Sequence, residues 1–175
     1  DAFVHYGIAA AAQAVADDSI EFEIATLHGI PLYDGDLEQR EGLPAAVTAL
    51  NEKVVACHGL LLATPEYNNG IPGVFKNAID WLSRPSSDIA RVFGNRACAL
   101  IGASPGGFGT ILAQNAWLPV MRTLGVRHWA GGRLMVSRAS QLIDENGQLR
   151  DEKVREQLAK FLAGFAAFAA ETPAR

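Results

Sequence analysis

Residues 60–81 read LLLATPEYNNGIPGVFKNAIDW, an apolar run that passes through a polar, turn-forming loop into an amphipathic segment. Leu60–Ala63 is apolar on successive positions, the pattern of a strand buried on both faces. From Pro72 or Gly73 onward, Val74, Ala78 and Ile79, with Trp81 and Leu82, recur at the spacing that turns a helix toward packing surfaces. Strand, loop and helix in that order are how an open α/β sheet delivers a ligand site at the carboxyl end of a strand.

The same order recurs downstream. Ala97–Ile101 is a second short apolar strand, followed by GASPGGFGT over 102–110 and an apolar helix to about Leu124, in which Pro119 implies a kink or a local break. Val126–Val136 supplies one or two pieces of the last sheet region, kinked at Gly131 and Gly132. Asp144, Asn146 and Gly147 make a turn. Asp151–Ala170 then forms a helix with acids near its start and Val154, Leu158, Phe161, Leu162 and Phe165 as its apolar face.

Upstream, Ala2–Ala16 is alanine-rich and reads as a helix, with no sheet strand before it. Ile20, Phe22 and Ile24 alternate with Glu21 and Glu23 as in a strand near a sheet edge. Leu27–Arg40, with Gly29, Pro31, Gly35 and Asp36, reads as a loop of tight turns. Pro44 opens a helix with Val47, Leu50 and Val54 on one face, ending before His58. The whole predicts one doubly wound α/β domain over 1–175, with a mostly parallel sheet between helical layers.

The 175 residues suffice for one sizeable core and are too few for two comfortable ones. A net charge of -4, with charged residues scattered along the chain, offers no basic field for a nucleic-acid backbone or an anionic membrane. No apolar run approaches the roughly 18 to 20 residues that cross a bilayer. Cys57 and Cys98 lack a CxxC partner and read as buried thiols, which suits a reducing cytoplasm. His5, His28, His58 and His128 show no metal-ligand spacing, so no metal is expected.

Two loops have the residues for chemistry. In Thr64–Gly70, Glu66 and Asn68 bring groups that match polar edges of a heterocycle, Tyr67 a flat face and a hydroxyl, and Asn69 with Gly70 permits a tight turn before Pro72. A bland turn whose tyrosine packs on the domain is the alternative. In Gly102–Thr110 the glycines permit close backbone approach, and amides near the helix start suit an anion or ring oxygens; a simple capped turn is the alternative. Neither a GxGxxG fingerprint nor a GxxxxGK[ST] loop is present, and Ser104 in GASPG lacks the GxSxG elbow of a serine hydrolase. Lys76 and Asp80, four apart on a helix, have the spacing of a local pair, with a surface or subunit contact the more economical reading of them. Two such loops after successive strands form one crevice if the strands are neighbours.

PEYNNGIPGVFKNAIDW over 65–81, supported by GASPGGFG over 102–109, closely resembles the NAD(P)H-dependent FMN reductases of flavodoxin-like fold, including bacterial quinone and chromate reductases. SRASQLIDENGQLRDEKVREQL over 137–158 is similar to the carboxyl-terminal region of that family. The resemblance implies a three-layer sheet with FMN at the carboxyl ends of its strands. Pro65, Glu66, Tyr67 and Asn68 would line the ring, Asn69 and Gly70 would shape the same loop, and Ser104, Gly106, Gly107 and Phe108 would form the opposite wall. It implies NADH or NADPH as electron donor, and a quinone, chromate, an azo compound or a ferric complex as acceptor. It also implies a homodimer or homotetramer in which a neighbouring subunit completes the pocket. No catalytic side chain is required, because the chemistry belongs to the cofactor.

At the amino end the chain departs from that pattern. The family begins with a central strand and a GSxRxxSxN phosphate loop; here the strand is absent and Phe3–His5 stands in the place of SxN. Loss of a central strand would expose two unpaired edges, so native residues upstream of Asp1 are expected. Without them the FMN phosphate lacks its seat. Two other readings remain open from sequence: a flavodoxin-like FMN electron carrier, and a cofactor-free structural relative.

Overall fold

Seven consecutive buried residues, Ala97–Ala103, form β2, the central strand of a parallel sheet in the computed structural model, which describes residue 12 and residues 20–142, 144 and 148–171. Along one edge lies β1 (Gly59–Ala63), with Gly59 beside Ala97 and Ala63 beside Ile101. The other edge is shared by β3 (Arg127–His128) and β4 (Leu134–Val136), each parallel to β2. The loops that follow β1, β2 and β4 therefore leave the sheet at one rim.

Alternation divides β2 between two cores. Ala97, Ala99, Ile101 and Ala103 meet Leu158, Phe161, Leu162 and Phe165 of α6 (Glu152–Ala170). Cys98 and Leu100 join the opposite cluster, which draws on α2 (Ala45–Ala56), α3 (Gly73–Leu82), α4 (Ile89–Val92) and α5 (Ile111–Leu124). The result is a flavodoxin-like α/β fold of three layers, with Trp81 and Trp117 fully buried in the second core. A large apolar side chain contributes about 1.5–3 kcal/mol on burial. The alanines of β2 supply little of that, so their role is to let α6 approach. Gly59 does the same, since a Cβ there would lie 2.9 Å from the ring of Phe165.

The helices begin where the sequence predicts, with Pro44 and Pro72 as the N-caps of α2 and α3 and Asp151 accepting from Val154 N at 2.9 Å to cap α6. Lys76 and Asp80 pair at 2.6 Å as their spacing predicts. The final sheet region is indeed two strands. Between them Trp129 crosses over Gly131, Gly132 and Gly164, where added Cβ atoms would stand 2.5, 2.8 and 2.8 Å from its indole.

Five expectations need correction. Leu27–Arg40 is not all loop: Asp34 accepts from Asp36 N and Leu37 N and so caps the helix α1 (Gly35–Glu41), with acids in its first turn and Arg40 in its last. Ile20–Ile24 is not a strand, because no strand stands beside it among the described residues to complete its ladder. β1 is half-buried along its length, since β2 alone pairs with it among the described residues. Val74 is 66% exposed, on the outer side of the α3 first turn. Of the kink or local break expected at Pro119, the break is absent: α5 runs through the proline, whose missing N–H would have served Asn115 on the exposed face, where water can take its place. The predicted amino-terminal helix lies outside the described residues except for Ala12, which is helical and buried.

Between α3 and the segment before α1, one side chain substitutes for a neighbouring strand. Asn77 accepts from Tyr33 N and donates to Pro31 O, each at 2.8 Å, and Trp81 Nε1 donates to the same carbonyl at 2.9 Å. The backbone is thereby held on both sides of Leu32, whose side chain is 80% exposed.

Burial pushes the thiol of Cys98 from 9.0 up to about 12, with the neighbouring Cys57 a lesser cause. The folded state keeps this proton where the unfolded chain has lost it. That contribution to stability is thus whole below pH 9.0 and disappears as the pH rises toward about 12. The urea midpoint of the wild type is expected to fall across that window more steeply than that of Cys98→Ala; equal slopes would contradict it.

Candidate functional site

The loop after β1 begins with a fixed anchor and ends with a tight turn. Thr64 is fully buried; its N–H donates to Ile101 O at 2.8 Å, extending the sheet one step, and its hydroxyl accepts from Trp117 Nε1 at 3.0 Å. Beyond it, Tyr67 N donates to Gly70 O at 3.2 Å and Gly70 N to Tyr67 O at 3.0 Å. Asn68 and Asn69 between them have φ of 50° and 63°. Two positive φ angles inside a closed pair of hydrogen bonds describe a type I′ turn, for which asparagine is among the best side-chain-bearing residues. The turn holds Tyr67 46% exposed and leaves both asparagine side chains at the surface.

The loop after β2 is held against a third strand end. Ser104 N donates to Val136 O at 2.9 Å, Ala139 N to Ser104 O at 3.0 Å, and Arg138 N to Gly106 O at 2.9 Å. Ser104 Oγ accepts from Gly106 N at 3.2 Å, so this hydroxyl shapes its own loop. Past that point the backbone faces outward: the N–H groups of Gly107 and Phe108 bond to none of the described residues, and a Cβ at 107 would meet no atom within 4 Å. Phe108 is 82% exposed. Gly109, at φ 62°, then packs against Met135, where a Cβ would be 3.0 Å from that residue's backbone.

Two contacts join the two loops, and a third fixes the second loop to β4. Gly102 carries no side chain where a Cβ would collide with Thr110 Oγ1 and the Thr64 carbonyl oxygen, and stand 2.9 Å from Thr110 Cβ. Gln114, itself buried, donates to Thr110 Oγ1 at 3.0 Å and to Leu134 O at 2.9 Å, fixing the start of α5 to β4. Glu66 Oε2 accepts from Leu112 N at 2.8 Å and Ala113 N at 3.0 Å, capping α5 from the other loop.

Because β1 and β2 are adjacent and parallel, Pro65–Gly70 and Ser104–Phe108 stand together at one rim, as the crevice expectation requires. The Asn68–Asn69 pair forms the centre of the turn, and Gly70 closes it. The carboxylate of Glu66 meets backbone amides of α5. Reading from sequence missed Leu112, Ala113 and the 136–139 segment, which offer only backbone groups and so leave no mark in residue type. Phe3–His5, the expected phosphate region, lies outside the described residues.

A family model described as NADPH-dependent FMN reductase matches residues 5–141. The chain is similar to an NAD(P)H-dependent FMN reductase of Pseudomonas aeruginosa, 38% identical over 159 residues that cover 90% of this chain and 84% of that protein. It is 33% identical over 161 residues to a 2-hydroxy-1,4-benzoquinone reductase of a Burkholderia species, covering 92% and 86%. Among solved structures, a flavoenzyme NAD(P)H:(acceptor) oxidoreductase from Paracoccus denitrificans matches with a TM-score of 0.85 at 27% identity, covering 96% of this chain and 90% of that one.

Gly102→Ala is expected to cost about 3 kcal/mol in chemical unfolding, the upper end for overpacking, because its new methyl meets backbone and a buried threonine. A loss under about 1 kcal/mol would show that the strands separate easily. At the turn, Asn69→Val should cost about 1–2 kcal/mol for its left-handed backbone, whereas Asn69→Gly should leave the unfolding midpoint near that of the wild type.

Proposed function

The chain belongs to the NADPH-dependent FMN reductase family, and from that premise we infer how its own residues serve the reaction. It is an FMN-dependent oxidoreductase that uses NAD(P)H to reduce quinone-like acceptors. We assign the flavin ring to the shelf between Pro65, Glu66, Tyr67, Asn68, Asn69 and Gly70 on one side and Ser104, Gly106, Gly107 and Phe108 on the other. The observation that supports this most is the pair of N–H groups at Gly107 and Phe108 that bond to none of the described residues, beside an open glycine surface. Amide donors with room above them suit a flat ring that has carbonyl oxygens along its rim.

When bound, FMN supplies the transfer of two electrons between a nicotinamide and an acceptor. The protein's part is to bind and orient. Exposed rings at Tyr67 and Phe108 give flat apolar faces at the mouth of the shelf, which suits stacking of a planar donor or quinone. The backbone N–H groups of Gly107 and Phe108 orient the ring without needing a side-chain donor. No described residue is assigned to the FMN phosphate.

Val74 in the first turn of α3 and Leu112 in the first turn of α5 are exposed apolar residues that follow the two loops, and Leu118 is exposed farther along α5. They support assembly into a homodimer or homotetramer, in which the mouth of the shelf is narrowed by a second copy. No described helix is long and apolar enough to cross a membrane. Cys57 and Cys98 are free thiols, which supports placement in the cytoplasm.

The test is a titration of the purified protein with FMN, followed by anaerobic NADH or NADPH and then a quinone. A saturable change in the flavin spectrum, bleaching by the nucleotide and recovery of colour on adding quinone are expected. Failure to take up FMN would reject the shelf assignment. Reduction only by a protein donor would favour an electron carrier.

A further inference from the structure

We propose that Glu66 is a positioning residue whose carboxylate ties the turn after β1 to the first turn of α5 and thereby sets the spacing between the two sides of the shelf. The proposal rests on the reading of that shelf as the FMN site. Its basis is the pair of hydrogen bonds from Leu112 N and Ala113 N to one oxygen, Oε2, at 2.8 and 3.0 Å.

The first amides of a helix lack partners within it, and the residue at the N-cap ordinarily supplies one. In α5 that residue is Thr110, which makes no such bond; its hydroxyl instead accepts from Gln114 Nε2, in a site with no solvent exposure. The cap comes from Glu66, 46 and 47 positions away in the chain, so satisfying the helix and joining the loops are one act. A carboxylate at the positive end of a helix also makes a charge-assisted bond, stronger than its neutral equivalent.

Position in the chain gives the tie its leverage. Tyr67 and the turn over Asn68 and Asn69 follow Glu66 directly, while Gly107 and Phe108 come just before the start of α5 at Ile111. Gly102 joins the same loops at their base, and the Glu66 bonds join them nearer the rim. An error in the distance between the two sides would be felt directly by a rigid flat ligand held between them.

Two measurements separate the tie from its purpose. Amide exchange in the cofactor-free protein reads the tie alone, and FMN affinity reads what it is for. In Glu66→Ala, amides of Tyr67–Gly70 and of Leu112 and Ala113 should exchange faster together, and Kd for FMN should rise at least about tenfold, the worth of one hydrogen bond to a charged group. Glu66→Gln keeps an oxygen that can accept both bonds, and is expected within about threefold of the wild-type Kd. Glu66→Asp keeps the charge but loses reach, and should weaken binding more than Glu66→Gln does.

A Glu66→Gln protein as weak as Glu66→Ala would overturn the proposal, because the charge itself would then be what FMN requires. Unchanged exchange and affinity in Glu66→Ala would overturn it equally. Wild-type protein that takes up no FMN would remove the functional reading, while the exchange comparison still decides whether the loops are tied.

Discussion

No side chain can stand at residue 102, and the arrangement of the site follows from that. The missing Cβ lets the Thr64 carbonyl and the Thr110 side chain close over β2 from two directions. Thr64 in turn receives the indole of Trp117, and Thr110 the amide of Gln114, so the first turns of α5 are fixed to two strand ends at once. A cavity opened there would be lined by polar groups that depend on each other. Leaving a buried polar group without its partner costs about 1–3 kcal/mol, which makes this junction more demanding than the alanine-lined face of β2.

Much of this architecture was legible from the chain. The two apolar strands, the helices opened by Pro44 and Pro72, and the terminal helix all show their hydrophobic period and their caps in residue type. What escaped had other causes. The helix at Gly35–Glu41 was hidden because Gly35 and Asp36 look like a turn, and the cap at Asp34 acts through geometry that composition does not display. Ile20–Ile24 has the alternation of a strand, but a strand is made by a neighbour as well as by its own period. Val74 fits the apolar stripe of α3 by spacing and still faces out, since the first turn of a helix can extend past the surface it packs on.

Within the site the same division holds. Tyr67, Asn68, Asn69 and the glycines announce a loop capable of holding a flat ligand. The contribution of Leu112 and Ala113 comes from their N–H groups, which every residue but proline possesses. Glu66 was visible as an acid beside a tyrosine, and its fixed partners were not, because they lie far along the chain. The exposed aromatic rings sit on a frame held by both backbone hydrogen bonds and side-chain bonds from Glu66, Thr64, Gln114 and Ser104. The surface thus presented is open and mixes aromatic rings with amide groups, while its support is closed by hydrogen bonds.

The bracket that Asn77 makes on Pro31 and Tyr33 touches only main-chain atoms. Such a contact is blind to the letter written between them. Selection can therefore exchange the leucine at 32 for almost any residue without disturbing how the segment is held, and whatever it installs will be displayed in the same fixed pose.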